Sequence, residues 1–218
     1  MINTIQRILC FGDSLTAGYY NNGDDFHPYS ILLSNLLGNV EVDHIGLSGI
    51  TVEEMVEQID NSNCVDCVDR VWNGLRVQLK QKKYDLCIIL AGTNDIDDGN
   101  EFSITENIFK LHKIANEEGC NTIALTIPPM KIENIIPRIT KVRTEVNNNL
   151  KNDPARVFNA LEPHNTYDVI DIDTELFTTS SDKMELYSDG IHLTPDGYDM
   201  IAKIIFTHIS SECQIEMK

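Results

Sequence analysis

Leu86-Cys87-Ile88-Ile89-Leu90-Ala91 is apolar at every position and gives way at once to Gly92-Thr93-Asn94-Asp95. A strand with one wet face alternates apolar and polar residues. One that is apolar throughout is covered on both faces, as in the middle of a parallel sheet. Working outward, residues Ile5–Phe11 make a first apolar strand, and Val40–Ile45 alternates Val40, Val42 and His44 against Glu41, Asp43 and Ile45. Downstream, Thr122–Ile127 gives a fourth strand and Val169–Ile172 a weaker fifth. Helical patterns fall between them. Tyr29–Leu37 carries Ile31, Leu32, Leu33, Leu36 and Leu37, and Ile104, Ile108, Leu111 and Ala115 recur at helical spacing with Gly119 placed to end that helix. Arg138–Leu150 and Pro195–Ile209 are two more, the last with Thr194 as N-cap and Pro195 at its first position. No repeat, low-complexity tract or linker divides the chain. The alternation predicts a single α/β domain over residues 1–218, three layers (α/β/α) built on a five-stranded parallel sheet.

Composition narrows the partners. The chain has 34 acidic and 17 basic residues, a formal net charge of -17, which repels phosphate backbones and anionic bilayers. Nucleic-acid and membrane-surface binding are therefore not expected, whereas small neutral or cationic substrates remain open. No run approaches the ~18 apolar residues of a membrane span. The N-terminus lacks the basic, apolar and small-residue regions of a signal peptide, so the sequence reads as cytoplasmic. Six cysteines are spread thinly, and Cys64-Val65-Asp66-Cys67 has CxxC spacing without a second CxxC or a His pair to complete a zinc site. They read as free thiols in a reducing compartment.

In open parallel sheets ligands bind outside the carboxyl ends of the strands. After the first strand comes Gly12-Asp13-Ser14-Leu15, after the second Gly46-Leu47-Ser48-Gly49, and after the third Gly92-Thr93-Asn94-Asp95. Asp189-Gly190-Ile191-His192 precedes the final helix. Each block supplies something that acyl transfer needs. A serine hydroxyl requires a base within hydrogen-bond reach. An imidazole, titrating at ~6.5 in water, suits that task, so His192 is the candidate base for Ser14. Asp189, three residues earlier, is placed to hold the imidazole tautomer and offset its developing charge. The oxyanion of a tetrahedral intermediate needs donors: the backbone N–H groups of Ser14 and Gly49 and the side-chain amide of Asn94 would supply three.

These four blocks, in this order, resemble the SGNH hydrolase superfamily of GDSL-type esterases and lipases. Gly12-Asp13-Ser14-Leu15 matches its first block, Gly49 its second, Gly92-Thr93-Asn94-Asp95 its third, and Asp189-Gly190-Ile191-His192 its last. Leu193-Thr194-Pro195-Asp196-Gly197-Tyr198 continues the last block in the usual way, so the likeness spans residues 8 to 202. The resemblance implies a flavodoxin-like sheet and a hydrolase without metal or cofactor. It also implies catalytic roles for Ser14, Gly49, Asn94, Asp189 and His192, acting on a small-molecule ester.

Each residue also has a plainer reading. Ser14 alone could cap a helix, and Asn94, Asp95 and Asp189-Gly190 could be turn residues, with Asp95 bracing the loop that aims Asn94. His44, His112 and His208 read as structural, His164 falls in an unassigned stretch, and His27 is placed to contact substrate. Tyr19–Gly23 borders the pocket. Met130, Ile132 and Ile135, in the loop after the fourth strand, line an acyl pocket or pack under the next helix; Asp13 is set with them as a substrate-binding residue. Thioester, lysophospholipid and sugar O-acetyl substrates fit the same four blocks, since pocket walls rather than fold choose the substrate. A non-catalytic flavodoxin-like nucleotide or flavin module is the rival of another class, but no GxGxxG or P-loop follows a strand. No GxSxG elbow occurs, as an α/β-hydrolase would require. Metal-dependent phosphoester chemistry would have Asp13 and Asp95 but no histidine cluster. The oligomeric state is not legible.

Overall fold

The computed structural model describes residues 5–153, 167–176 and 183–212. Five strands form one parallel sheet: β1 (Arg7–Gly12), β4 (Glu41–Gly46), β7 (Leu86–Leu90), β8 (Asn121–Leu125) and β9 (Tyr167–Ile170), in the order β4-β1-β7-β8-β9. Register is continuous across the centre, with Cys10 opposite both His44 and Ile88. The chain leaves β1 toward β4 on one side and later returns to β7 on the other. The carboxyl end of β1 is thus the topological switch point, where neighbouring connections diverge and leave a crevice.

Alternate residues of the central strands feed two cores. Leu9, Phe11, Cys87 and Ile89 pack on one face, beneath α3 (Val52–Glu57), α4 (Leu75–Gln81), α5 (Glu101–Glu117) and α6 (Pro137–Asn152). Ile8, Cys10, Leu86, Ile88 and Leu90 pack on the other, beneath α2 (Tyr29–Leu37) and α8 (Pro195–Glu212). This is the three-layer arrangement that the continuous apolar run requires. Every residue of β7 is buried.

The elements differ from the sequence reading mainly at their ends. The last strand closes at Ile170 because Asp171 caps the short helix α7 (Ile172–Glu175), its carboxylate accepting from the N–H of Thr174. Helix α3 escaped the periodicity, yet it begins with a full capping box: Thr51 accepts from the N–H of Glu54, and the Glu54 carboxylate accepts from the N–H of Thr51. Two small antiparallel hairpins also escaped it, β2 (Tyr19–Tyr20) with β3 (Asp25–Phe26), and β5 (Cys64–Val65) with β6 (Val71–Trp72). Strands of two residues are too short for alternation to show.

Cys10, Cys64, Cys67, Cys87 and Cys120 are free thiols, and Cys213 lies outside the described residues. So does His164. Among the described residues no helix is long and apolar enough to cross a membrane.

Candidate active site

β1 ends at Gly12, where a side chain could not exist: a Cβ there would lie 1.9 Å from the carbonyl oxygen of Leu90. This close approach draws the exits of β1 and β7 together. Asp13 caps the four-residue helix α1 (Ser14–Ala17), accepting from the N–H of Leu15 at 2.9 Å, and its second oxygen accepts from the N–H of Thr93 at 3.3 Å. One carboxylate therefore ties the serine loop to the Asn94 loop. Asp13 is wholly buried, and burial pushes its pKa up against those N–H donors. Its two oxygens accept from backbone N–H groups inside the sheet edge.

Ser14 stands at the first helical position with Oγ 3.0 Å from His192 Nε2. The other imidazole nitrogen, Nδ1, lies 2.7 Å from Asp189 Oδ2. Asp189 Oδ1 also accepts from the N–H groups of Ile191 and His192, each at 2.7 Å. Burial pushes the Asp189 carboxyl up, but these N–H groups and the imidazole outweigh it and hold the carboxyl below its ordinary range. Tyr19, on β2, lays its ring against His192 at 4.3 Å between centroids, which sets the imidazole's second face.

On one side of Ser14 the loop after β4 carries Gly49, with φ +74°. On the other, the loop after β7 carries Asn94, whose Nδ2 donates one hydrogen to the carbonyl of Ile50 at 3.0 Å. The second amide hydrogen, and the N–H groups of Ser14 and Gly49, have no acceptor among the described residues. Asp95 braces the same junction: both oxygens accept from the N–H of Val52, at 3.0 and 3.2 Å. Burial raises its pKa to about 6 in spite of that donor.

Serine, imidazole and carboxylate in sequence, beside unpaired N–H donors at a switch point, meet a matching family pattern. The model of the GDSL-like lipase/acylhydrolase family matches residues 10–200. The chain belongs to this family. Its members are hydrolases, and the solved structures it resembles share its fold at low identity. A lipase/acylhydrolase from Enterococcus faecalis is 19% identical, with a TM-score of 0.69 over 98% of this chain and 100% of that one. A member of the lipolytic G-D-S-L family from Veillonella parvula is 22% identical, TM-score 0.70, over 94% and 98%. A carbohydrate esterase family 3 protein from Talaromyces cellulolyticus is 16% identical, TM-score 0.68, over 95% and 98%. No curated protein matches the chain in sequence.

Within this GDSL-family fold the loop after β8, residues 126–136, distributes its apolar side chains unequally. Met130 is buried in the core under α5 and α6, and Ile132 packs part-buried against the same cluster. Ile135 is 79% exposed. An ion pair dictates this arrangement: Arg143 on α6 donates to Glu133 at 2.6 Å and to the carbonyl of Ile127 at 3.2 Å, and Glu133 accepts from the N–H of Met130 at 2.8 Å. The loop is folded onto α6, and the N–H of Ile132 donates to the carbonyl of Gly190 at 3.3 Å. The loop therefore supports the Asp189–His192 turn. His27 pairs with Asp199 on α8 at 2.8 Å, the Nδ1 of His44 lies 3.0 Å from Ser30 Oγ, and His208 pairs with Asp168 at 2.7 Å. No group of three or more His, Cys, Asp or Glu side chains among the described residues could hold a metal ion.

Sequence reasoning missed Tyr19 as the packing partner of His192, and missed Asp66 and Arg70 beside the Gly49 loop. Only an i, i+4 acid–base spacing marked the latter pair, and such spacing is common on solvated surfaces.

Proposed function

We propose that this protein hydrolyses carboxylic esters of small or short acyl groups through an acyl-enzyme on Ser14. The observation that carries the reading is the hydrogen-bond path Ser14 Oγ, His192, Asp189, with contacts of 3.0 and 2.7 Å. With Asp189 accepting the Nδ1–H, Nε2 is left with its lone pair toward the serine. As Ser14 Oγ bonds to the substrate carbonyl carbon, its proton passes to Nε2. The C=O pair becomes an oxyanion, received by the N–H groups of Ser14 and Gly49 and the free amide hydrogen of Asn94. Collapse of the intermediate breaks the ester C–O bond, and the departing alcohol takes the proton from Nε2. A water then repeats the sequence on the acyl-enzyme, returning Ser14 and releasing the acid.

Burial of Met130, with Ile132 packed part-buried against the same cluster, supports the short acyl preference, since these side chains are turned onto the core. The leaving group's carrier is set by the pocket walls, so thioesters, lysophospholipids and acetylated sugars belong in the same substrate panel.

Ser14→Ala tests the mechanism. It removes one oxygen from a residue 3% exposed and should leave the melting transition in place while abolishing release of p-nitrophenol from p-nitrophenyl acetate. Turnover retained by the variant would defeat the proposal.

A further inference from the structure

The hairpin of β5 and β6 contributes nothing to the mechanism above, yet its turn is built around an ion pair aimed at the loop that carries Gly49. Asp66 has a side chain with no exposed surface. Arg70 donates to its Oδ2 through Nε at 2.9 Å and Nη2 at 2.7 Å. The same Nη2 donates to the carbonyl of Gly46 at 3.0 Å and to Ser48 Oγ at 2.9 Å. Asp66 Oδ2 accepts in turn from the N–H of Ser48 at 3.3 Å, and the N–H of Cys67 donates to the carbonyl of Ser48 at 3.0 Å.

That last contact matters most. The carbonyl of Ser48 and the N–H of Gly49 belong to one planar trans peptide and point in opposite directions. Holding the carbonyl toward the hairpin therefore aims the Gly49 N–H away from it. The guanidinium also lies 4.0 Å over the ring of Phe26, which meets Tyr19 edge-on at 5.8 Å, and Tyr19 in turn packs on His192. One charged group thus buttresses both the loop beside the serine and the ring beside its imidazole.

We propose that Arg70, locked by Asp66, is a positioning residue for the oxyanion hole: it fixes the Ser48–Gly49 peptide so that the Gly49 N–H faces the developing oxyanion. The inference rests on the acyl-enzyme reading. A donor helps only where it already points at the charge, and a misplacement of about 1 Å costs about 100-fold in rate. A lysine in this place offers a point charge and no planar fork, so it loses the second contact to Asp66 that Arg70 makes through Nε.

The test pairs turnover of p-nitrophenyl acetate with inhibition by an alkyl trifluoromethyl ketone, whose hemiketal on Ser14 carries the same oxyanion. Arg70→Met should lower kcat by about 10- to 100-fold with KM within about threefold, and raise the ketone's Ki by the same factor. Arg70→Lys should fall between Arg70→Met and the native protein on both scales. Should Arg70→Met fail to fold, the same parallel is read from Arg70→Lys and from Ser48→Ala, which deletes one Arg70 contact. A fall in kcat with unchanged Ki, or a lowered melting temperature with kcat intact, reduces the ion pair to a structural one and overturns the proposal. Native protein that the ketone fails to inhibit overturns the acyl-enzyme reading and this one with it. Native inhibition that every variant retains overturns only the role of Arg70.

Discussion

Gly49→Ala tests the geometry of the site at its tightest point. The backbone there has φ +74°, and a Cβ would lie 2.9 Å from both Cβ and Sγ of Cys67. Left-handed backbone costs an alanine about 1–2 kcal/mol. The clash adds about 1–3 kcal/mol, the usual range for one extra methyl in a filled space. Sγ can turn aside, but Cβ is fixed to a backbone whose N–H is bonded to the carbonyl of Ser48 at 3.0 Å. The variant should therefore unfold in urea with a loss of about 2–5 kcal/mol. Relief of the clash would swing the Gly49 N–H, so kcat on p-nitrophenyl acetate should also fall by about 100- to 1,000-fold, the value of one oxyanion donor. Adding Cys67→Gly removes both clashing atoms and should return most of the steric loss while leaving the backbone cost. Cys67→Ala keeps the Cβ and should return little. A Gly49→Ala protein within about 0.5 kcal/mol of native stability and within about twofold in kcat would refute the argument, because neither strain nor donor placement would then matter there.

Asp189→Asn should leave the fold in place, since the amide oxygen can still accept from the N–H groups of Ile191 and His192. Its NH2 would face Nδ1 and push the ring proton to Nε2, where the imidazole can no longer accept from Ser14. A loss of about 10⁴-fold in kcat is expected, and a loss below about tenfold would mean that the backbone alone orients the ring. His112 offers a stability test away from the site. It is wholly buried on α5 against Tyr167, neither ring nitrogen has a partner among the described residues, and burial lowers its pKa to about 3. Above pH ~6.5 the ring is neutral whether folded or unfolded and adds no pH dependence. As pH falls from ~6.5 toward 3, only the unfolded chain takes up the proton, and stability drops by up to about 1.4 kcal/mol per pH unit. Urea titrations of His112→Leu should show a shallower acid loss, gaining about 2–3 kcal/mol over the native protein at pH ~4.5 relative to pH ~7.5; parallel curves would count against the buried neutral ring.

Much of the architecture lies open in the sequence because burial leaves a periodic trace. Leu86–Ala91 is apolar on both faces since helices cover both, and that run places β7 at the centre of the sheet. The four blocks are legible for a similar reason. Gly12-Asp13-Ser14, Gly49, Asn94 and the Asp189–His192 turn are short local sequences, each following a strand or leading into the last helix. Their common edge follows from the parallel sheet.

What the residue order could not reveal is where side chains of equal chemistry point. Asp13 and Asp189 are both carboxylates beside a glycine, yet one is buried on the backbone of Leu15 and Thr93 while the other meets an imidazole. Met130 and Ile135 are both apolar residues of one loop, yet Arg143 folds that loop so that one enters the core and the other faces solvent. Asp66 and Arg70 look like an ordinary surface pair until the hairpin carries them against Gly46 and Ser48. That β7 is a central strand and that the serine block follows a strand are products of chain pattern alone, because apolar periodicity and strand-end loops are local. Which carboxylate is buried, which apolar side chain fills the core and what aims the Gly49 N–H depend on contacts between segments tens of residues apart. Those exist only once the chain has packed.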